Sequence, residues 1–193
     1  MWLLLSCEES KNPILDDEVI VENTQIEQKN DKVIEYHCCY DFENIQINGV
    51  GIFGNDINTL INTFENIEFE SVFFGGSCGI RAFNDNQPVI VSGFSSDFLL
   101  IGLKEEIEKE LYFVSYMDVT SLLNNNFTLT LNGKKYDVYY QPTIFEVIEA
   151  WNLEVKNYKL DELVLQNDTK DYGLTFIFDE YNVLKKIELW GPC

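Results

Sequence analysis

Gly49-Val50-Gly51-Ile52-Phe53-Gly54 spells G-x-G-x-x-G, and how it is read decides the fold. A strand pattern over residues 43–47 precedes it and a helical pattern over 56–64 follows. Glu70 stands about 20 residues downstream, where a dinucleotide-binding unit keeps its ribose-binding acid. The requirements of a phosphate cradle are nevertheless not met. The strand before the loop alternates apolar and polar through Gln46 and Asn48, whereas a phosphate loop leaves a fully buried parallel strand. Asn55 and Asp56 stand between the third glycine and the helix, and an aspartate there repels pyrophosphate where positive potential is needed.

A second passage supplies the better reading. Ile47-Asn48-Gly49 returns as Leu131-Asn132-Gly133, an offset of 84. Thr59-Leu60-Ile61 returns at the same offset as Thr143-Ile144-Phe145, and Phe64 as Ile148. Where the first passage has Gly51 and Gly54, the second has Lys135 and Val138, so the turn into the helix does not require them. Both helices carry an apolar stripe: Ile57, Leu60, Ile61 and Phe64 in one, Ile144, Val147, Ile148 and Trp151 in the other. Asn55 or Asp56 caps the first, and Pro142 opens the second. More loosely, Gly79-Ile80-Arg81-Ala82-Phe83 corresponds to Gly173-Leu174-Thr175-Phe176-Ile177. The G-x-G-x-x-G therefore reads as the opening of a duplicated strand–turn–helix–hairpin unit. The expected fold is α+β: two similar modules, residues 33–123 and 124–193, each a short helix packed on antiparallel strands and able to share one curved sheet.

Between these anchors the chain reads mostly as strands. Residues 33–42 alternate weakly, and 67–74, 89–94, 98–103 and 111–117 follow as strand candidates. Asn84-Asp85-Asn86-Gln87-Pro88 reads as a turn. Lys104-Glu105-Glu106-Ile107-Glu108-Lys109-Glu110 reads as a solvated charge run, a helical turn at most. Asn124-Asn125-Asn126 marks the module boundary. The final hairpin is the clearest: residues 174–179, a turn at Glu180-Tyr181-Asn182, then 183–190.

With 193 residues the chain is long enough for a sizeable core, and 46% apolar and 14% aromatic content argue against wholesale disorder. Thirty-three acids face 13 bases, of which Arg81 is the single arginine, for a net charge of -20. Such a field repels nucleic acid and anionic membrane and steers basic partners inward. Two alanines beside abundant Asn, Ile, Lys and Glu point to an AT-rich, bacterial coding sequence.

Met1-Trp2-Leu3-Leu4-Leu5-Ser6-Cys7 reads as the remnant of a lipoprotein signal, with Cys7 as the lipidated residue and residues 8–32 as a flexible acidic tether. The apolar run lacks a basic flank and is short, so a start upstream is one alternative and a packed N-terminus the other. The remaining cysteines, Cys38, Cys39, Cys78 and Cys193, lack the spaced pairs of a zinc site. Adjacent Cys38 and Cys39 point to opposite faces of a strand. They read as buried free thiols, with a disulfide left open and no metal expected. His37, the lone histidine, reads as a packed residue.

Gly75-Gly76-Ser77-Cys78-Gly79 matches G-x-S-x-G, but the nucleophile elbow needs a histidine later in the chain, and His37 comes before it. A Cys78–His37 pair has no third group to orient the base. A Ser or Cys hydrolase is accordingly the weakest function class, and no cofactor is expected. Asp161, Glu162, Asp168 and Asp171 fit neither a calcium loop nor a spaced carboxylate pair. Together with Tyr136, Tyr139 and Tyr172 they read as contact surface for a basic protein.

The hairpin Tyr172-Gly173-Leu174-Thr175-Phe176-Ile177-Phe178-Asp179, followed by Leu184-Lys185-Lys186-Ile187, resembles the tandem module of small bacterial envelope proteins. Examples are the β-lactamase inhibitory protein and the small outer-membrane assembly lipoproteins. Over residues 44–94 and 127–190 the chain also resembles uncharacterised bacterial immunity-like families. The resemblance implies protein binding through a sheet face, with no catalytic residues to carry over. The function expected is a non-enzymatic, lipid-anchored immunity or inhibitor protein of the bacterial envelope, acting on a basic partner such as a toxin. A structural envelope-assembly lipoprotein is the alternative.

Overall fold

The computed structural model of the chain describes residues 24–29, 32–38, 40, 42, 44–74, 91–106, 109–155, 160–167 and 173–190. In chain order these form β1 (Thr24–Lys29), β2 (Lys32–His37), β3 (Ile45–Ile47), β4 (Val50–Gly51), β5 (Phe53–Gly54), α1 (Ile57–Ile61) and β6 (Glu70–Phe74). There follow β7 (Val91–Ser95), β8 (Leu99–Glu106), β9 (Lys109–Asp118), α2 (Val119–Asn124), β10 (Leu129–Leu131) and β11 (Lys134–Tyr136). The chain ends in α3 (Ile144–Trp151), β12 (Glu162–Gln166), β13 (Gly173–Phe178) and β14 (Leu184–Trp190).

The two Asn-Gly pairs adopt the same conformation: φ is 49° and 83° at Asn48 and Gly49, and 45° and 86° at Asn132 and Gly133. Two consecutive left-handed residues make the turn whose twist matches a two-stranded hairpin, and Asn-Gly adopts it with little strain. One turn folds β4 back on β3 and the other folds β11 back on β10. The hairpins then meet through β3 and β10, antiparallel, with Ile47 opposite Leu129, Gln46 opposite Thr130 and Ile45 opposite Leu131. Positions equivalent at the 84 offset thus exchange places about the Gln46–Thr130 pair. Reciprocal bonds extend the relation: Asn48 N donates to Thr128 O (2.9 Å) and Asn132 N to Asn44 O (3.0 Å). Each turn asparagine also ties its hairpin to the helix that follows. Asn48 Nδ2 donates to Thr63 O at 3.3 Å, just past α1, and Asn132 Nδ2 donates to Ala150 O in the last turn of α3.

The glycine-rich stretch is therefore a hairpin turn plus β4 and β5, and β3 ahead of it is antiparallel to both neighbours. Gly54 has its own cause. A Cβ there would stand 2.7 Å from the Tyr112 ring, whose hydroxyl donates to Gly51 O at 2.7 Å.

Besides this four-stranded sheet there is a larger one, ordered β1-β2-β12-β13-β14-β9-β8-β7-β6, with β5 also on β9. Its pairings are antiparallel except β2 on β12. The architecture is α+β, strand-rich and largely antiparallel, as the patterning implied. Strands from 33–123 and from 124–193 are neighbours in both sheets, through β3–β10 and β9–β14.

Three local expectations change. Thr24–Lys29, inside the stretch read as tether, pairs with β2 as an edge strand, a position that tolerates a polar sequence. Of the charge run at 104–110, the described residues 104–106 and 109–110 are paired strand rather than helical turn, with Glu105 opposite Glu110 and Glu106 opposite Lys109. Pairing of the apolar segments on either side overrides the helix propensity of Lys and Glu. The sequence reading also passed over α2, a six-residue helix burying Val119, Leu122 and Leu123 and capped by Asp118, whose Oδ1 accepts from Ser121 N at 2.8 Å. It is shorter than the window in which periodicity registers.

The two expected helices are present but trimmed. Asp56 caps α1, accepting from Asn58 N (3.1 Å) and Thr59 N (3.4 Å), and the helix stops at Ile61. Phe64 is nevertheless buried beyond it, edge-on to Phe127 at 4.8 Å and to Phe69 at 5.6 Å. This aromatic cluster joins the α1 exit to the entry of β10. Helix α3 packs on β13 through Trp151 and Phe176, 5.3 Å between ring centres. One continuous apolar core runs through both sheets and all three helices among the described residues.

Candidate functional site

The contact residues expected from sequence do not share one role. Tyr136 is only 1% exposed, stacked face to face on Tyr140 at 5.6 Å and 18°, and belongs to the core. The reason is register. Tyr136 pairs with Leu129 and turns inward with it, whereas Tyr139 lies past the strand and is 94% exposed. Asp161 and Glu162 are engaged within the chain: Asp161 Oδ2 accepts from Val33 N at 2.8 Å, and Glu162 Oε1 meets Lys32 Nζ at 2.7 Å. They clip β2 to β12 across some 130 residues of sequence. The hydrogen bond and charge of Glu162 hold the Lys32 ammonium above its ordinary range. Cys7, Asp168, Asp171, Tyr172, Ser77 and Cys78 lie outside the described residues.

Around the lone histidine, β2 places Glu35 and His37 on one buried face, with His37 Nε2 3.1 Å from Glu35 Oε1 and Tyr40 edge-on at 6.4 Å. Cys38 is disulfide-bonded, which corrects the free-thiol reading for that residue. Spacing argues against a zinc pair but cannot reveal a partner brought close by folding. Its sulfur lies 3.7 Å from Asn167 O; a disulfide sulfur has no proton to donate, so this is a packing contact. Among the described residues no group of three His, Cys, Asp or Glu side chains is placed to hold a metal ion, and no helix is long and apolar enough to cross a membrane.

A site that sequence reasoning missed is centred on Glu146, in the first turn of α3. Thr143 and Glu146 form a reciprocal capping box: the carboxylate accepts from Thr143 N (2.7 Å) and Thr143 Oγ1 (2.6 Å). Its other oxygen accepts from the Tyr140 hydroxyl and from Lys134 Nζ at 3.3 Å. Lys134 also lies 5.4 Å over the Tyr140 ring and 5.8 Å over that of Tyr136. Burial pushes the Glu146 carboxyl up, but donors from Thr143, Tyr140 and Lys134 outweigh it and hold the group below its ordinary range. The Tyr140 hydroxyl and Glu146 keep the Lys134 ammonium above its own. Tyr136 is pushed up to about 12 by burial and by the charge of Glu146. One carboxylate thus joins β11, the 137–143 loop and α3. The signal was readable in advance: Thr143-x-x-Glu146 ahead of an apolar stripe is a capping box.

That knot supports an exposed end. Pro142, Thr143 and Ile144 are stitched to the turn between β13 and β14: Ile144 N donates to Asn182 O (2.9 Å), Leu184 N donates to Pro142 O (2.8 Å), and Thr143 bridges Val183. The large hydrophobics that stand exposed among the described residues are Tyr139 (94%), Tyr181 (76%), Phe145 (54%) and Tyr140 (49%). All four belong to these two stitched segments. Asp137, Glu149 and Glu180 are exposed beside them in the chain.

The protein is thus an α+β chain whose exposed large hydrophobics, among the described residues, all belong to two hydrogen-bonded segments. Comparison with protein-family models, with curated proteins and with solved structures returns no match.

Proposed function

We propose that this is a non-enzymatic protein-binding module that engages a basic protein through the end bearing Tyr139, Tyr140, Phe145 and Tyr181. The single observation that carries the reading is that convergence of exposed aromatics on two hydrogen-bonded segments of an acidic chain. Aromatic side chains bury large area at low entropic cost and dominate binding energetics, and exposed apolar surface rimmed by polar groups marks contact sites. The net charge of -20 selects the partner's sign and accelerates encounter. An immunity or inhibitor protein neutralising a basic toxin is the most concrete form, with envelope anchoring through a lipid on Cys7. Intact-mass analysis of the native protein tests that anchor: a lipid-sized increment is expected, and an unmodified Cys7 would exclude it.

The binding test is co-purification from the native cells, followed by association kinetics of the captured partner between about 50 and 500 mM salt, a range over which screening length falls severalfold. A basic partner whose on-rate drops steeply with salt is expected. A neutral or acidic partner, or a salt-independent rate, would overturn the proposal.

A further inference from the structure

The two stitched segments share a second feature. Asp137-Val138-Tyr139 and Asp179-Glu180-Tyr181 begin with the same aspartate turn, the first closing at Tyr140 and the second closing one residue later, at Val183. Tyr139 N donates to Asp137 Oδ1 at 2.9 Å, and Tyr181 N donates to Asp179 Oδ1 at 2.9 Å. In each case the same oxygen takes a further backbone donor, Tyr140 N at 3.0 Å in one and Val183 N at 2.9 Å in the other. An aspartate that binds its own backbone two residues on fixes a compact turn. Here the third residue of each such turn is an exposed tyrosine. The displayed rings are the two most exposed of the four aromatics, and neither has a ring or cation contact among the described residues. Tyr140, by contrast, is stacked on Tyr136 and faced by Lys134.

We propose that Tyr139 and Tyr181 are paired anchors for cationic side chains of the partner, with arginine preferred over lysine; this rests on the protein-binding reading above. A guanidinium stacks flat on a tyrosine face and can reach a neighbouring carboxylate through its planar fork, whereas an ammonium offers only a point charge. Asp137, through the oxygen its turn leaves free, and Glu180 supply that carboxylate two residues and one residue before the ring in the chain. Neither has an ion pair among the described residues, while Asp179 Oδ2 is already met by Lys185 at 3.1 Å. A second copy of the chain is a poor occupant, because each copy carries a net charge of -20. A basic surface relieves that repulsion. Because hydrogen bonds to the backbone fix both turns and join their segments, the backbone that carries each anchor is set before binding, and only the tyrosine side chains are ordered on docking.

Octa-arginine and octa-lysine peptides are the probes, each titrated into the full chain at about 50 mM salt and followed by backbone amide shifts. For octa-arginine, shifts are expected to concentrate on residues 137–145 and 179–184. Tyr139→Ala and Tyr181→Ala should each weaken it about fivefold, while Tyr181→Phe keeps the ring and stays near wild type. Octa-lysine should bind at least about threefold more weakly at equal charge. Both tyrosines are exposed, so unperturbed shifts elsewhere will report an intact fold. Shifts spread over the whole surface, with both Ala variants binding as wild type, would overturn the anchors while leaving a basic partner standing. Equal affinity for the two peptides would overturn the arginine preference. Binding of neither peptide would remove the basic-partner reading itself.

Discussion

Replacing Glu146 by alanine removes the acceptor for Thr143 N, Thr143 Oγ1 and Tyr140 OH at once. Loss of a capping interaction costs about 1 kcal/mol. A hydrogen bond to a charged, largely buried group contributes about 1.5–3 kcal/mol net. Lys134 is 41% exposed, and its ion pair is left out of the sum. The expected loss is about 3 kcal/mol, or about 6–12 °C in Tm for a domain of this size. Glu146→Gln keeps an acceptor for Thr143 and should lose about half as much. Urea denaturation at neutral pH reads both. The pH dependence separates charge from shape. The folded-state pKa of Glu146 is depressed, so its contribution is full above the ordinary glutamate range and fades as pH falls through the depressed value. The stability gap between wild type and Glu146→Ala must therefore narrow on acidification. A loss under about 0.5 kcal/mol, within the range of unremarkable surface changes, or a gap that widens in acid, would refute the knot at Glu146.

Other substitutions test the scaffold by thermal or urea unfolding. Tyr136→Phe removes a buried hydroxyl that has no hydrogen-bond partner among the described residues, and should be neutral or stabilising by up to about 1 kcal/mol. Gly49→Ala and Gly133→Ala meet open space, so each should lose only the left-handed strain of about 1–2 kcal/mol, in equal measure. Phe64→Ala should cost about 3–5 kcal/mol, because the ring is 2% exposed between Phe69 and Phe127.

The Asn-Gly pairs were legible as a turn repeated at a fixed offset. The reading led each turn straight into its helix, however, and missed that both are two-residue hairpin turns, because β4 and β11 are too short to leave a period. Their meeting through β3 and β10 was not legible, since pairing between segments 84 apart leaves no local trace beyond the echo itself. Charge misled at Asp161 and Glu162. Composition shows an acid but not the Val33 amide or Lys32 that folding brings to it. Tyr136 and Tyr139 looked alike because burial depends on where β11 stops pairing, and strand ends are read poorly from sequence. The two exposed segments carried readable signals, the Thr143–Glu146 capping box and the repeated Asp-x-Tyr, but nothing in the sequence showed that folding stitches them together.

The most direct test is hydrogen exchange on the full chain with and without its captured partner. The account predicts protection on binding at residues 137–145 and 179–184, with the rest of the sheet unchanged. Protection confined to the β2–β12 region around Asp161 and Glu162, with Tyr139 and Tyr181 exchanging as in the free protein, would contradict it.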